Sequence, residues 1–251
     1  MLSESSIVKV LVTGHRGFLG AAFCERFARS YDFVGYDLKD GDDLHDLDRL
    51  VERMEGCDQV VHLAAIPRPV EGEPLERFFE ENVVATLGVL RTAERAGVRR
   101  FVYASSTTIY GIEHGIPFST PIEENQPFVS QYLTADRLSC REEALSCHAS
   151  KVMAEQLVAW FGLNRKLETI ALRFGPINKQ FSGTSVSLAN ATNAIDCAIR
   201  APGEFWYEPF SIVDELEHID ISRAKERLGY APSPIEYTGD QVHSTLDERA
   251  R

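Results

Sequence analysis

The sequence predicts an α/β fold built around a doubly wound parallel sheet. Three observations carry that reading. Short β-branched apolar runs alternate with helical patterns over the first two thirds of the chain. The clearest run, IVKVLV, is nearly continuously apolar, as in a strand covered on both faces. A turn carrying Gly14, Gly17 and Gly20 joins it to the first helical pattern.

In order, residues 7–12 form the first strand, and residues 18 to about 30 the first helix. Residues 31–37 (YDFVGYD) form the second strand, 47–54 a short helix and 58–64 (DQVVHLA) the third strand. Residues 74–96 read as one long helix, with Leu75, Phe78, Phe79, Val83 and Leu87 spaced for one face and Gly97 as its stop. Residues 100–104 (RFVYA) form a strand, 149–161 a helix and 169–172 (TIAL) the last core strand. Right-handed crossovers then wind the sheet. The segment 111–147, with Pro117, Pro121 and Pro127, reads as a long loop region over a ligand cleft. After Gly175-Pro176 the alternation is expected to stop. A helix over 187–200, a short strand over 216–220 and a helix capped by Ser222 and ended by Gly229 remain for a small lobe. The tail after Pro234 is polar and poorly specified.

Composition narrows the function classes. A net charge of −12 repels phosphate backbones, so no nucleic-acid partner is expected. Apolar residues at 44% and charged residues at 25% are those of an ordinary globular chain, which excludes disorder as the main state. No apolar run approaches the ~18 residues of a spanning helix, so no membrane partner is expected. The N-terminal MLSESSIVKVLV lacks the basic and long apolar regions of a signal peptide. Cys24, Cys57, Cys140, Cys147 and Cys197 are odd in number and scattered, which suits reduced thiols in a cytoplasm. Cys140, Cys147 and His148 lack metal-ligand spacing, and no metal is expected.

The glycine turn, Thr13-Gly14-His15-Arg16-Gly17-Phe18-Leu19-Gly20, carries the chemistry. Gly14 lets the chain turn sharply, Gly17 lets the backbone approach a pyrophosphate, and Gly20 lets helix and strand pack closely. The helix N-terminus offers N–H groups and a positive dipole end to phosphates. Asp37, ending the second strand, suits a carboxylate that binds both hydroxyls of an adenosine ribose. It would repel a 2′-phosphate and so selects NAD over NADP, with Arg16 and Lys39 as nearby cations that soften the choice.

Further motifs follow: Asp43-Leu44, Val61-His62-Leu63-Ala64-Ala65, Asn82-Val83-Val84-Ala85-Thr86, and Phe101-Val102-Tyr103-Ala104-Ser105-Ser106 leading into Ile109-Tyr110-Gly111. Ser150-Lys151 then precedes Ala154-Glu155, and Leu172-Arg173-Phe174-Gly175-Pro176 closes the last core strand. In this order and spacing the chain resembles the extended short-chain dehydrogenase/reductase family, the NAD-dependent epimerase/dehydratase group. The resemblance implies a Rossmann-type domain over residues 1–176 and a small substrate-binding lobe and tail over 177–251. It implies NAD held by the glycine turn (Gly14, Arg16, Gly17, Phe18, Leu19, Gly20) and by Asp37. Asp43 and Leu44 match the pair at the adenine. Leu63, Ala64 and Ala65 match the segment under the ribose, and Asn82 belongs to the same cofactor set. Phe174, Gly175 and Ile177 match the stretch that passes the nicotinamide amide. Ser106 matches the serine that hydrogen-bonds the substrate, and Lys151 the lysine that binds the nicotinamide ribose and lowers the pKa of a tyrosine.

That tyrosine belongs four residues before the lysine, on the same helix face. Here the position is Cys147. A phenol near pKa 10 becomes useful beside an ammonium, whereas a thiol starting at about 8.5 would become a thiolate. The thiol is also shorter by most of a phenyl ring. Three readings stay open: Cys147 replaces the acid/base, catalysis is lost, or Tyr110, Tyr132 or His148 supplies the proton. His62 reads as a packed core histidine. The resemblance therefore implies an NAD-dependent oxidoreductase or epimerase acting on a sugar or sugar derivative, similar to the uronate dehydrogenase branch or to nucleotide-sugar epimerases and dehydratases. A chain that binds NAD as a sensor, regulator or subunit without turnover is the alternative. The resemblance also implies a homodimer.

Overall fold

The computed structural model describes residues 7–68, 70–111, 120–128, 142–178, 184–214 and 218–234. Its six strands are β1 (Lys9–Thr13), β2 (Asp32–Tyr36), β3 (Gln59–His62), β4 (Arg100–Ser106), β5 (Glu168–Phe174) and β6 (Trp206–Ile212). They form one sheet in the order β2-β1-β3-β4-β5-β6, and every pair is parallel. The strand order reverses between β1 and β3. In open α/β sheets such a switch point opens a crevice at the carboxyl ends of the strands.

Helices cover both faces. α1 (Phe18–Arg26), α6 (Leu188–Arg200) and α7 (Ser222–Leu228) close one side over Val10, Val12, Val102, Ile170 and Leu172. α2 (Leu47–Met54), α3 (Leu75–Phe79), α4 (Ala85–Ala96) and α5 (Glu142–Leu163) close the other over Leu11, Val60, Phe101 and Ala171. Side chains alternate along each strand, so β1 sends Val10 and Val12 to one layer and Leu11 to the other. The nearly continuous apolar runs of the sequence follow directly.

Three expectations need correction. The alternation does not stop at Pro176: α6 and β6 extend the same sheet beside β5. β6 escapes sequence reading because it holds Glu208 and Pro209, and proline is tolerated on an edge strand. The strand expected over 216–220 is, among the described residues, a single bridge between Ile122 and Ile219. The long helix over 74–96 is broken by a π turn over Glu80–Val84, between α3 and α4. In addition, α5 begins at Glu142, earlier than the expected 149, because Glu142-Glu143-Ala144-Leu145 are already good helix formers. Gly97 stops α4 as expected, in the left-handed region at φ 70°.

Arg100 shows how the sheet is tied to its outer layer. Its fully buried guanidinium donates to Glu168 (3.0 and 2.9 Å), to the Ala198 and Ala201 carbonyls at the end of α6 (3.0 and 2.8 Å) and to Gly203 (2.8 Å). These carbonyls have no intrahelical donor, so the arginine serves as their cap. Arg100→Met should destabilise the protein by about 3–5 kcal/mol, since it leaves buried Glu168 with Arg99 at 3.6 Å in place of two close bonds and uncaps the helix end. Lys166→Ala removes a half-exposed pair with Glu94 and should cost no more than about 1 kcal/mol. Denaturant midpoints compare the two.

Candidate active site at the sheet switch point

The glycine turn leaves β1 at the crevice. Gly14 has φ 70°, and a Cβ there would lie 2.8 Å from the Ala64 nitrogen, so the turn passes directly against the segment after β3. A Cβ on Gly20 would lie 2.3 Å from the Gly14 carbonyl, which is the close helix–turn packing expected of the third glycine. Gly17 caps α1 with extended backbone and no side-chain hydrogen bond, and the first turn of α1 holds no acidic residue. The leading N–H groups around Phe18 and Leu19 therefore have no acceptor from the cap residue, as an anion site at a helix N-terminus requires. Phe18 is exposed, and Leu19 packs on the core.

Asp37 stands beside this turn. Its Oδ2 accepts the Arg16 N–H at 2.9 Å and its Oδ1 the Lys39 N–H at 2.9 Å. Each oxygen keeps a lone pair for a ribose hydroxyl. Asp43 is exposed, its Oδ1 accepting the His45 N–H at 2.9 Å and its carbonyl the Tyr36 hydroxyl at 2.7 Å. Leu44 packs on the core beside it. Its neighbour Asp42, which the sequence did not single out, is buried and paired with Arg49.

The segment after β3 is held by a polar chain. Thr86 donates to the Asn82 carbonyl at 2.7 Å, so its oxygen accepts from His62 Nε2 at 2.9 Å. His62 Nδ1 then accepts from the Thr13 hydroxyl at 2.6 Å, and Thr13 Oγ1 accepts the Ala64 N–H at 3.3 Å. His62 is thus the neutral Nε2–H tautomer and a packed core residue, as expected. Buried Asn82, in the π turn, accepts the Ile66 N–H at 2.7 Å and donates to the Ile66 carbonyl (3.1 Å) and to Ser150 Oγ (2.8 Å). The sequence placed Asn82 in the cofactor set; in the described contacts it clamps the loop after Leu63, Ala64 and Ala65 to α5.

On α5, Ser150, Lys151 and Cys147 share the inner face. Buried Lys151 donates to the Ala104 carbonyl at 3.4 Å and lies 5.7 Å from the centre of the Tyr103 ring. Burial pushes it down to about 8, with the Cys147 thiolate acting in the opposite sense. Cys147 is one turn away, 3% exposed, with its Sγ 4.0 Å from the Ile66 carbonyl. Ser106 ends β4 half-exposed, and its oxygen accepts the Thr108 N–H at 3.2 Å, so its own hydrogen is available to donate. After buried Phe174, the Gly175 backbone packs so closely on Thr184 that a Cβ would lie 1.6 Å from its carbonyl, and Ile177 bridges to Val186.

The structure brings together the glycine turn, Asp37, the 63–66 loop, Asn82, Cys147 and Lys151, with Ser106 and Gly175 at neighbouring strand ends. Among the alternative proton donors, Tyr110 is committed elsewhere. Its hydroxyl meets Arg173 Nη1 at 2.8 Å and Ser211 Oγ at 3.3 Å, and burial pushes its phenol up. His148 is buried on α5. Tyr132 and Cys140 lie outside the described residues.

The profile of the NAD dependent epimerase/dehydratase family matches residues 10–177. The chain belongs to that family. A uronate dehydrogenase of Pseudomonas syringae pv. tomato is 24% identical over 248 residues, covering 92% of this chain and 83% of that protein. An uncharacterized UDP-glucose epimerase of Bacillus subtilis is 27% identical over 176 residues, but this chain spans only 52% of its length. Among solved structures, MoeE5 in complex with UDP-glucuronic acid and NAD superposes with a TM-score of 0.72 at 20% identity, over 90% of this chain and 94% of that one. Among the described residues no helix is long and apolar enough to cross a membrane.

Burial, with Lys151 acting in the same direction, pushes His62 down from 6.5 to about 3. Between those values the unfolded chain holds a proton on His62 that the native state does not, so stability falls as pH drops from 6.5 toward 3. In His62→Gln that contribution should vanish. The pH dependence of the unfolding free energy should flatten by about one proton over this window.

Proposed function

We propose that this chain is an NAD-dependent oxidoreductase or epimerase acting on a sugar or sugar derivative, with a small uronate-like substrate preferred to a nucleotide sugar. One observation carries the reading. The uncapped glycine turn and Asp37, on one side of the switch point, meet Lys151 and Ser106 on the other. NAD, when bound, supplies the hydride acceptor. The glycine turn and the N-terminus of α1 would hold its phosphates, Asp37 its adenosine ribose and Lys151 its nicotinamide ribose. Ser106 would donate to the substrate oxygen. Parts of residues 177–251 outside α6, β6 and α7, which belong to the sheet and its cover, would contribute substrate contacts, and a cytoplasmic setting suits the thiols.

Cys147 holds the position of the acid/base, and its geometry favours a second reading. With 3% of its surface exposed and its sulfur toward Ile66, the thiol does not extend to a substrate hydroxyl as a phenol would. Under that reading the chain binds NAD without turnover. Hydride transfer to NAD, followed by absorbance over a panel of uronates and aldoses, separates the cases. If the framework awaits a phenol, Cys147→Tyr should raise the rate by up to about 10²–10⁴-fold. If the thiol works, Cys147→Tyr and Cys147→Ser should both lower it. Undetectable transfer in all three proteins, with NAD still bound by calorimetry, establishes the non-catalytic reading. Absence of NAD binding overturns both.

A homodimer completes the proposal. Met153, Trp160 and Leu163 form an exposed stripe on α5, with Leu75 and Val84 exposed on the adjoining α3 and π turn. An apolar face of this kind is an expected subunit contact. Light scattering should give twice the chain mass, and Trp160→Glu should return the monomer.

A further inference from the structure

The ribose end of the site holds more charge than a ribose needs. Three residues able to carry positive charge come from the two turns that meet at Asp37: His15 and Arg16 from the glycine turn, and Lys39 from the short turn Leu38–Asp40, the Arg16 and Lys39 backbone N–H groups donating to the Asp37 carboxylate. Lys39 Nζ donates to the Arg16 carbonyl at 3.0 Å, which ties it across the turn. The other two converge on Asp40. The Arg16 guanidinium donates to Asp40 Oδ1, and His15 Nε2 lies 3.1 Å from Asp40 Oδ2. The His15 ring occupies the space that a side chain at residue 35 would need. A Cβ on Gly35 would lie 2.6–2.7 Å from its atoms. The ring is thereby wedged with Nε2 turned toward Asp40.

Without Asp40, Arg16 and Lys39 would outnumber the Asp37 carboxylate beside the 2′ position of a bound ribose. An arginine and a lysine at that place form a cationic donor pair for a phosphate. With Asp40, Arg16 and His15 are drawn off. We propose that Asp40 is a specificity-determining residue: it sets the preference for NAD over NADP by holding Arg16 and His15 away from the 2′ position. The inference rests on the placement of the adenosine ribose at Asp37. Asp37 refuses the phosphate directly, while Asp40 keeps the neighbouring cations from compensating. The Arg16–Asp40 pair is exposed, 54% and 31% by side chain, so its own strength is small and the effect is one of tens rather than thousands.

Calorimetric titration of NAD and NADP into the full chain tests this without turnover. Asp40→Ala should tighten NADP about tenfold while NAD changes less than about twofold, with the NADP gain falling at high salt. Asp40→Asn keeps the size of the side chain and should shift the ratio in the same direction. Adding Arg16→Ala to Asp40→Ala should return the ratio to the parent value. An unchanged NADP-to-NAD ratio in both single variants overturns the role of Asp40, as does a gain that survives loss of Arg16. Wild-type protein that binds neither cofactor overturns the cofactor site, and this inference with it.

Discussion

The arrangement depends first on the buried ion pair between Glu155 and Arg173. Glu155, on α5 one turn beyond Lys151, accepts Arg173 Nε at 3.0 Å and Nη2 at 2.6 Å. It also accepts the Ser105 hydroxyl from β4 and the Tyr207 hydroxyl from β6 at 2.9 Å. Arg173 spends Nη1 on Tyr110 and on the Glu124 carbonyl, 2.8 Å each. One carboxylate thus binds α5 to three adjacent strands. Burial works against the arginine's charge, but Glu155 outweighs it and holds the group above its ordinary value. A pair this deep gives little net stability, because desolvation consumes most of the attraction. What it gives is position. A slip of α5 by one turn would leave a charge unpaired, so the Lys151 helix and the Ser106 strand are locked in register.

A second network does for the cofactor edge what the ion pair does for the helix. Thr13, His62, Thr86 and Asn82 run from the end of β1 to the π turn, and Asn82 continues through Ile66 and Ser150 to the Cys147 carbonyl. Its members come from β1, β3, the π turn, α4 and α5. The π turn has a physical reason within this chain: an extra residue per turn aims Asn82 at both polar groups of Ile66. The two networks meet on α5, where Ser150, Lys151 and Glu155 lie within two turns. The crevice is rigid on its helical side and, at the glycine turn, made largely of backbone.

Legibility followed the range of the interactions. The glycine turn, Asp37 and the strands β1–β5 were readable because apolar runs and glycine spacing are local signals. β6 was not, since Tyr207 sits at a register irregularity with φ 66° and Pro209 breaks the apolar pattern. The π turn was hidden because its residues keep a helical pattern. Glu155 and Arg173 were visible as motif letters, but their pairing joins a helix to a strand and has no signature in spacing. Asp40 has no local signature of its own. Its partners lie at the opposite end of the βαβ unit, and only the parallel pairing of β1 with β2 brings them together.

The same tertiary logic bears on the thiol at the tyrosine position. Lys151 is buried against a carbonyl and an aromatic face, neither of which carries a formal charge. Burial therefore drives it toward the neutral amine, and the Cys147 thiolate is the group that opposes this. The two ionisations are coupled: a thiolate one turn away keeps the ammonium, and a neutral thiol releases it. A phenol is longer than a thiol by most of a ring and would extend past Ile66 out of this layer. A thiol at this position is held inside the helix layer, with its sulfur toward the Ile66 carbonyl and Lys151 toward the Ala104 carbonyl. Around it the Asn82–Ser150 bond and the Glu155–Arg173 pair still fix α5, so the position of Lys151 does not depend on which side chain stands at residue 147.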